Sequence, residues 1–134
     1  MPPADRNARY RAGIICMKQK TTSAPPDETP LNQKLKTLSQ QMEGELFYDR
    51  TMRTLYATDA SAYREMPLAV ALPKTSDDIK RLIHFARSEK TGLIPRAAGT
   101  SLAGQVVGNG IVVDVSKHFT RILELNQDER WVKV

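Results

Sequence analysis

The residues in this chain best suited to chemistry are Pro95-Arg96-Ala97-Ala98-Gly99-Thr100-Ser101-Leu102-Ala103-Gly104-Gln105-Val106-Val107-Gly108. The stretch lies between two apolar runs, Leu93-Ile94 and Ile111-Val112-Val113, that both read as strands. Small side chains let a backbone approach a ligand closely, and glycine reaches dihedrals that other residues avoid. Successive outward-facing amides in such a turn form a concave nest for anions, phosphates above all. Thr100 and Ser101 add hydroxyl donors, and Arg96 offers a charge-assisted fork. The chemistry such residues suit is diphosphate binding by main-chain amides. From composition alone, a plain small-residue connection between two strands stands slightly ahead of it.

Other chemistries find no footing. Nothing matches the G-x-x-x-x-G-K-[ST] phosphate loop, and no lysine is placed to reach a phosphate. The glycines do not form G-x-G-x-x-G, and the stretch leads into a strand where a dinucleotide-binding turn leads into a helix. No metal-ligand spacing and no G-x-S-x-G elbow is present. Cys16, the one cysteine, with His84 and His118 elsewhere does not make a catalytic pair, and it excludes an intrachain disulfide.

The elements that must position the loop follow from hydrophobic pattern. Leu68-Ala69-Val70-Ala71-Leu72, bounded by Pro67 and Pro73, reads as a buried strand. Thr75-Ser76-Asp77-Asp78 supplies helix-start chemistry, and Ile79, Leu82, Ile83 and Ala86 follow at i, i+3, i+4 and i+7 of an amphipathic helix. Lys80, Arg81, His84 and Arg87 fall on its wet face, so His84 reads as a surface residue. Lys90-Thr91-Gly92 ends the helix and Leu93-Ile94 begins the next strand. A strand–helix–strand unit pairs its strands in parallel, and the small-residue loop follows the second of them.

Upstream, Thr29 caps and Pro30 opens a helix whose Leu31, Leu35, Leu38 and Met42 recur at helical spacing, with Gly44 placed to end it. Glu45 to Tyr48 reads as a short strand, Asp49 as a turn, and Met52 to Tyr56 as one helical turn. Tyr56-Ala57-Thr58-Asp59-Ala60-Ser61-Ala62-Tyr63 reads as an ordered, turn-rich loop near a ligand. Downstream, Gly110 to Val115 is a third strand. Arg121 to Asn126 and Trp131 to Val134 then alternate like an antiparallel pair around Gln127-Asp128-Glu129. The chain stops in mid-strand, which suggests a truncated domain.

At 134 residues, with 40% hydrophobic and 26% charged residues, the chain has the size and composition of one modest globular domain or a piece of a larger one. The net charge of +5 is spread among acids without a Lys/Arg run, which argues against nucleic acid as a partner. No apolar run approaches the ~20 residues of a transmembrane helix. Residues 1–30, rich in proline and charge and without apolar periodicity, read as a disordered segment. Met17 stands as an alternative translation start. Residues 31–134 form the folded unit.

Several motifs in order go further than any one of them. These are the Tyr56–Tyr63 run, Pro67-Leu68-Ala69-Val70, Pro73-Lys74-Thr75, the run from Pro95 to Gln105, Val112-Val113-Asp114 and Arg121-Ile122-Leu123-Glu124. Together they closely resemble the N-terminal part of FAD-linked oxidases of the vanillyl-alcohol oxidase/p-cresol methylhydroxylase (PCMH) type, over about residues 45–134. Within that group the likeness is to D-lactate dehydrogenases and the D subunit of glycolate oxidase. The resemblance implies an α+β fold, the first lobe of a PCMH-type FAD-binding domain, with a small mixed sheet and flanking helices. It also implies that Arg96, Ala97, Ala98, Gly99, Thr100 and Ser101 cradle the FAD diphosphate and that Leu102, Gly104 and Gln105 continue toward the flavin. Ala97 and Ala98 stand where two glycines are commoner in the family, so both must keep ordinary backbone angles. Thr100 stands where some relatives carry a flavin-linking histidine, which implies non-covalent FAD.

By the same resemblance the full enzyme oxidises a small D-2-hydroxy acid by hydride transfer to FAD. No catalytic residue is assigned within this chain, and iron–sulfur modules belong only to C-terminal regions outside it. A cytoplasmic location, with peripheral membrane association of the full enzyme, accompanies that reading. The rival from another class is a small stand-alone module that binds a phosphate-bearing ligand or an anionic partner.

Overall fold

The structure, a computed structural model, describes residues 29–134. The expected disorder before residue 29, the alternative start at Met17 and Cys16 lie outside the described residues. Helix α1 (Pro30–Gln41) begins where Thr29 accepts a hydrogen bond from the Asn32 amide and Pro30 fills the first turn without a missed donor. Its Leu35 and Leu38 are buried. The helix stops at Met42 in extended conformation, so Gly44 is not its terminator. A Cβ at Gly44 would stand 2.3 Å from the Leu72 carbonyl oxygen, and the glycine serves close passage of two backbones.

Strand β1 (Glu45–Phe47) leads to α2 (Arg50–Leu55), capped by the Asp49 carboxylate on the Met52 amide. Asp49, expected as a turn, is thus a helix cap. Strand β2 (Ala69–Leu72) is buried along its length. Helix α3 (Ser76–Glu89) follows a reciprocal capping box between Thr75 and Asp78. Lys90 closes it in the left-handed region at φ 53°, at the start of the Lys90-Thr91-Gly92 run expected to end it. Strands β3 (Leu93–Arg96) and β4 (Ile111–Asp114) complete a mixed sheet of order β1-β2-β4-β3. β1 is antiparallel to β2, while β2, β4 and β3 run parallel. A separate antiparallel hairpin, β5 (Glu124–Asn126) with β6 (Trp131–Lys133), ends the chain.

One face of the sheet carries the main core. Leu35, Leu38 and Met42 from α1 and Leu82 from α3 pack with Leu46, Ala69, Ala71, Ile111 and Val113. Strand alternation sends Val70 and Val112, both fully buried, to the opposite face, where α2 meets β2. On α3 the expected stripe is rotated. Ile83 is 52% exposed, and Phe85 packs against the core in its place.

Asp78 ties the start of α3 to the link between α1 and β1. Fully buried, it accepts hydrogen bonds from the Glu43 and Gly44 amides (2.9 Å each) and the Lys74 amide (3.0 Å). The Arg81 guanidinium lies 3.4 Å away. Burial alone would raise its pKa, but the converging amides outweigh that and hold the carboxyl below its usual value. Asp78→Asn keeps the shape but turns a donor toward donors, so it should cost about 2–4 kcal/mol of stability. Urea unfolding of wild type and variant checks this, with Asp77→Asn, on the exposed side of the same helix, as the control expected to leave the midpoint in place.

Candidate functional site

The connection from β3 to β4 is the expected loop, with one change at its start. Pro95 and Arg96 are strand residues, in register with Val113 and Asp114, and the Arg96 carbonyl accepts from the Val115 amide at 3.0 Å. The irregular path therefore begins at Ala97. It needs glycine at two places, Gly99 (φ 70°) and Gly104 (φ 73°). A Cβ at Gly104 would stand 2.8 Å from the Tyr63 ring, so backbone and ring are in close contact there. Neither Ala97 nor Ala98 has a positive φ, as their side chains require. Among the described residues, the amides from Ala97 to Leu102 donate to no protein group. The Ser101 hydroxyl organises the far half. It donates to Gln105 Oε1 and accepts from the Gln105 amide at 3.1 Å and the Ala103 amide at 3.4 Å.

The turn-rich Tyr56–Tyr63 segment forms the wall beside this loop. The Ala60 amide donates to the Gly99 carbonyl (3.1 Å), tying the two together. Asp59 shapes the segment itself. One of its oxygens accepts from the Ser61 amide (2.8 Å) and the Ser61 hydroxyl (2.5 Å). The Ser61 hydroxyl, ahead of smaller effects from the Ser101 hydroxyl and the Val106 amide, lowers its pKa. Its other oxygen is buried without a partner on the loop side of the segment. Asp59 and Ser61 thus satisfy turn amides, as the turn-rich composition of the segment implies.

Arg96 does not present its guanidinium outward as a free fork. Nη1 donates to the carbonyls of Thr58 (2.8 Å) and Tyr56 (3.4 Å), and the group lies 5.0 Å from the centroid of the Tyr56 ring. The Tyr56 hydroxyl donates to Asp114 Oδ2 at 2.7 Å. Asp114, only 6% exposed, takes its remaining bonds from the Ser116 amide (2.8 Å) and hydroxyl (2.7 Å). The sequence pass missed Tyr56 and Asp114 as site supports. The signal was available in an acid ending a wholly apolar strand, where a carboxylate needs donors.

Two concavities among the described residues are a cavity of about 230 Å³ lined by Tyr63, Arg64, Glu65, Ala103, Gly104 and Val107, and a larger one of about 540 Å³ between α1 and α3. The first adjoins the loop, whereas the second lies on the helical side, away from the exposed amides. His84 lines that second cavity and faces solvent, as expected of it. Among the described residues no cluster of His, Cys, Asp and Glu suits a metal ion. No helix there is long and apolar enough to cross a membrane.

A strand-edge loop with unbonded amides, two left-handed glycines and no charged side chain from Ala97 to Gly110 is shaped for a neutral cradle around a diphosphate. Residues 67–134 match the FAD binding domain family. The chain belongs to that family. It is 42% identical over 98 residues to D-2-hydroxyglutarate dehydrogenase of Haemophilus influenzae, covering 71% of this chain and 10% of that protein. The enzyme of the same name from Pseudomonas putida is 43% identical over 94 residues, covering 68% of this chain and 9% of its own. Glycolate oxidase subunit GlcD of Bacillus subtilis is 33% identical over 78 residues, covering 57% of this chain and 17% of its own.

Solved structures share the fold at low identity. Alkyldihydroxyacetonephosphate synthase superposes with a TM-score of 0.58 at 19% identity, covering 79% of this chain and 22% of that one. The Physcomitrella patens BBE-like 1 protein gives 0.55 at 20%, covering 70% and 21%. The chain is thus an N-terminal fragment of a PCMH-type FAD-binding domain, and FAD is its cofactor. It spans about a tenth of the length of the D-2-hydroxyglutarate dehydrogenases it matches. The loop residues fit the cofactor's diphosphate, since glycine stands at each left-handed position of the loop and the amides from Ala97 to Leu102 are unbonded among the described residues.

The Tyr56–Asp114 bond gives stability a defined pH dependence. Burial first, then the bond to Asp114, pushes the Tyr56 hydroxyl up from 10.0 to about 12. A raised folded value means the contribution is complete below about pH 10 and is lost as pH rises toward 12. The depressed Asp114 carboxyl acts at the other end, its contribution lost as pH falls below the usual carboxylate range. Tyr56→Phe should therefore flatten the alkaline limb of a stability–pH curve between pH 9 and 12, as measured by urea midpoints.

Proposed function

We propose that this chain is the diphosphate-holding part of an FAD-dependent dehydrogenase that oxidises a D-2-hydroxy acid. The observation that carries the reading is the uncharged amide loop of residues 97–105, on a chain 42–43% identical to two D-2-hydroxyglutarate dehydrogenases. Ala97, Ala98, Gly99, Thr100 and Ser101 hold the diphosphate through main-chain amides and the Thr100 hydroxyl, while the Ser101 hydroxyl keeps the far half of the loop in shape. Leu102, Gly104 and Gln105 carry the wall toward the flavin, and FAD is held without a covalent bond. When bound, the flavin supplies two-electron acceptance from the substrate carbon. The residues of this chain bind and orient; acid–base work and substrate selection belong to parts of the protein outside it. Relatives at higher identity carry the 2-hydroxyglutarate name, and those named for glycolate and D-lactate lie at 33% and 26%. Within the class, the substrate proposed is therefore a hydroxy diacid, in preference to lactate or glycolate.

The test is the product of the uninterrupted reading frame that carries this chain, purified and assayed by dye reduction. D-2-hydroxyglutarate should turn over fastest, D-lactate and glycolate more slowly, and the L enantiomers not at all. A colourless protein inactive on every D-2-hydroxy acid overturns the reading. In the same protein, Gly104→Ala should weaken FAD retention about five- to tenfold, through positive-φ strain of about 1 kcal/mol and the contact with Tyr63. The released flavin, measured by fluorescence after dialysis, reads this out. The 134-residue chain alone should bind FAD more weakly than about 10 µM by titration calorimetry, because Leu102 on the loop rim is 81% exposed and an open rim leaves the ligand largely in water.

A further inference from the structure

We infer that Arg96 is a positioning residue that latches the diphosphate loop to the neighbouring wall through Tyr56 and Asp114, and that it is not an anion ligand. Three contacts hold the guanidinium inward. It donates to the carbonyls of Thr58 and Tyr56, and it lies over the Tyr56 ring. The combination uses a property that lysine lacks, namely a planar cation whose Nη1 bonds two carbonyls while its face lies over an aromatic ring. The ring is fixed in turn by the buried Asp114, which ends the next strand at the position paired with Arg96. The side chain therefore closes a ring of contacts, from β3 to the Tyr56–Tyr63 segment, to β4, and back to β3.

Gly99 sits directly against this latch. A Cβ there would stand 2.5 Å from Arg96 Nη2, so the left-handed bend of the loop is moulded on the guanidinium. The Gly99 carbonyl then receives the Ala60 amide from the same wall. With Nη1 bonded to the wall and its plane stacked on Tyr56, Arg96 orders the amides of residues 97–102, and this latch needs no contact with the anion. Its charge is compensated within the protein by carbonyl dipoles and by nearby Asp114. The inference rests on the FAD reading only for what the amides bind; the latch itself is a property of the chain.

The experiment compares Arg96→Gln, Arg96→Lys, Tyr56→Phe and the Tyr56→Phe/Arg96→Gln double variant in the full-frame protein. Without ligand, hydrogen exchange by mass spectrometry should rise in peptides covering residues 56–65 and 97–105 and stay at wild-type rates in β2 and β4. A rise throughout the sheet means a general structural role and overturns the inference, as does no change anywhere. With FAD, Arg96→Gln and Tyr56→Phe should each weaken affinity about tenfold, and the double variant little more than either alone. Arg96→Lys should resemble Arg96→Gln, and the dependence of affinity on salt between 0.05 and 0.5 M should match wild type (roughly a threefold change in screening length). If lysine preserves affinity, or if Arg96→Gln alone flattens the salt dependence while Tyr56→Phe is silent, then Arg96 is an anion ligand and the inference fails. If the wild-type protein takes up no FAD, the FAD reading fails, and hydrogen exchange still decides the latch. Should Arg96→Gln not fold, Arg96→Lys and Tyr56→Phe answer the same questions.

Discussion

Parallel pairing of β3 with β4, with no helix between them, is the constraint from which the site follows. The chain leaves Arg96 at the C-terminal edge of the sheet and must return to Ile111 at the opposite edge. A four-residue strand spans about 13 Å, and residues 97–110 cover that return as irregular backbone. A connection of that kind has neither ladder nor helix to satisfy its amides. It is tolerated where water or a ligand takes them, and long irregular connections in compact domains are commonly functional for this reason. β3 is also the edge of the sheet, and no described strand pairs with its outer side.

The same edge gathers the buried carboxylates. Asp78 lies beyond the C-terminal end of β2 and Asp114 ends β4. Each is nearly or fully buried, and each is compensated by donors from chain segments distant in sequence. They divide the work. Asp78 uses main-chain amides to seat α1, β1 and α3, and so fixes the layer under the sheet. Asp114 uses Tyr56 and Ser116, and so fixes the wall above it. A carboxylate serves such joints because each oxygen accepts more than one bond and the charge strengthens each of them.

Much of this was legible beforehand. The caps at Thr29 and Thr75, the buried runs at 69–72 and 111–114, and the small-residue loop all follow from local chemistry that tertiary packing did not override. The departures share a cause, which is that they depend on partners far along the chain. Gly44 reads locally as a helix stop, yet it is required by the Leu72 carbonyl. Ile83 fits a helical stripe, yet the position of α1 turns Phe85 to the core in its place. Pro95 and Arg96 look like loop because proline donates nothing to a ladder, but β3 is an edge strand, where a proline costs no bond. Arg96 reads as an anion fork because its type suits one, and only the fold reveals that Tyr56 and Thr58 already hold it.

That last difference bears on how the loop discriminates. A cradle built around an exposed arginine attracts any anion and weakens steeply with salt, since the interaction is largely Coulombic. From Ala97 to Gly110 this loop has no charged side chain, and Arg96, which leads into it, is turned toward Thr58 and Tyr56. What remains are amide dipoles and the Thr100 hydroxyl, whose attraction falls off within a few ångströms and depends on direction. On the proposed reading, selectivity for a diphosphate over other anions comes from the spacing of the amides. That spacing is only as good as the backbone that holds it, so the cost of recognition moves from the ligand-facing residues to those behind them: Gly99 at its positive φ, Tyr56 under the guanidinium, and the buried Asp114 beneath both.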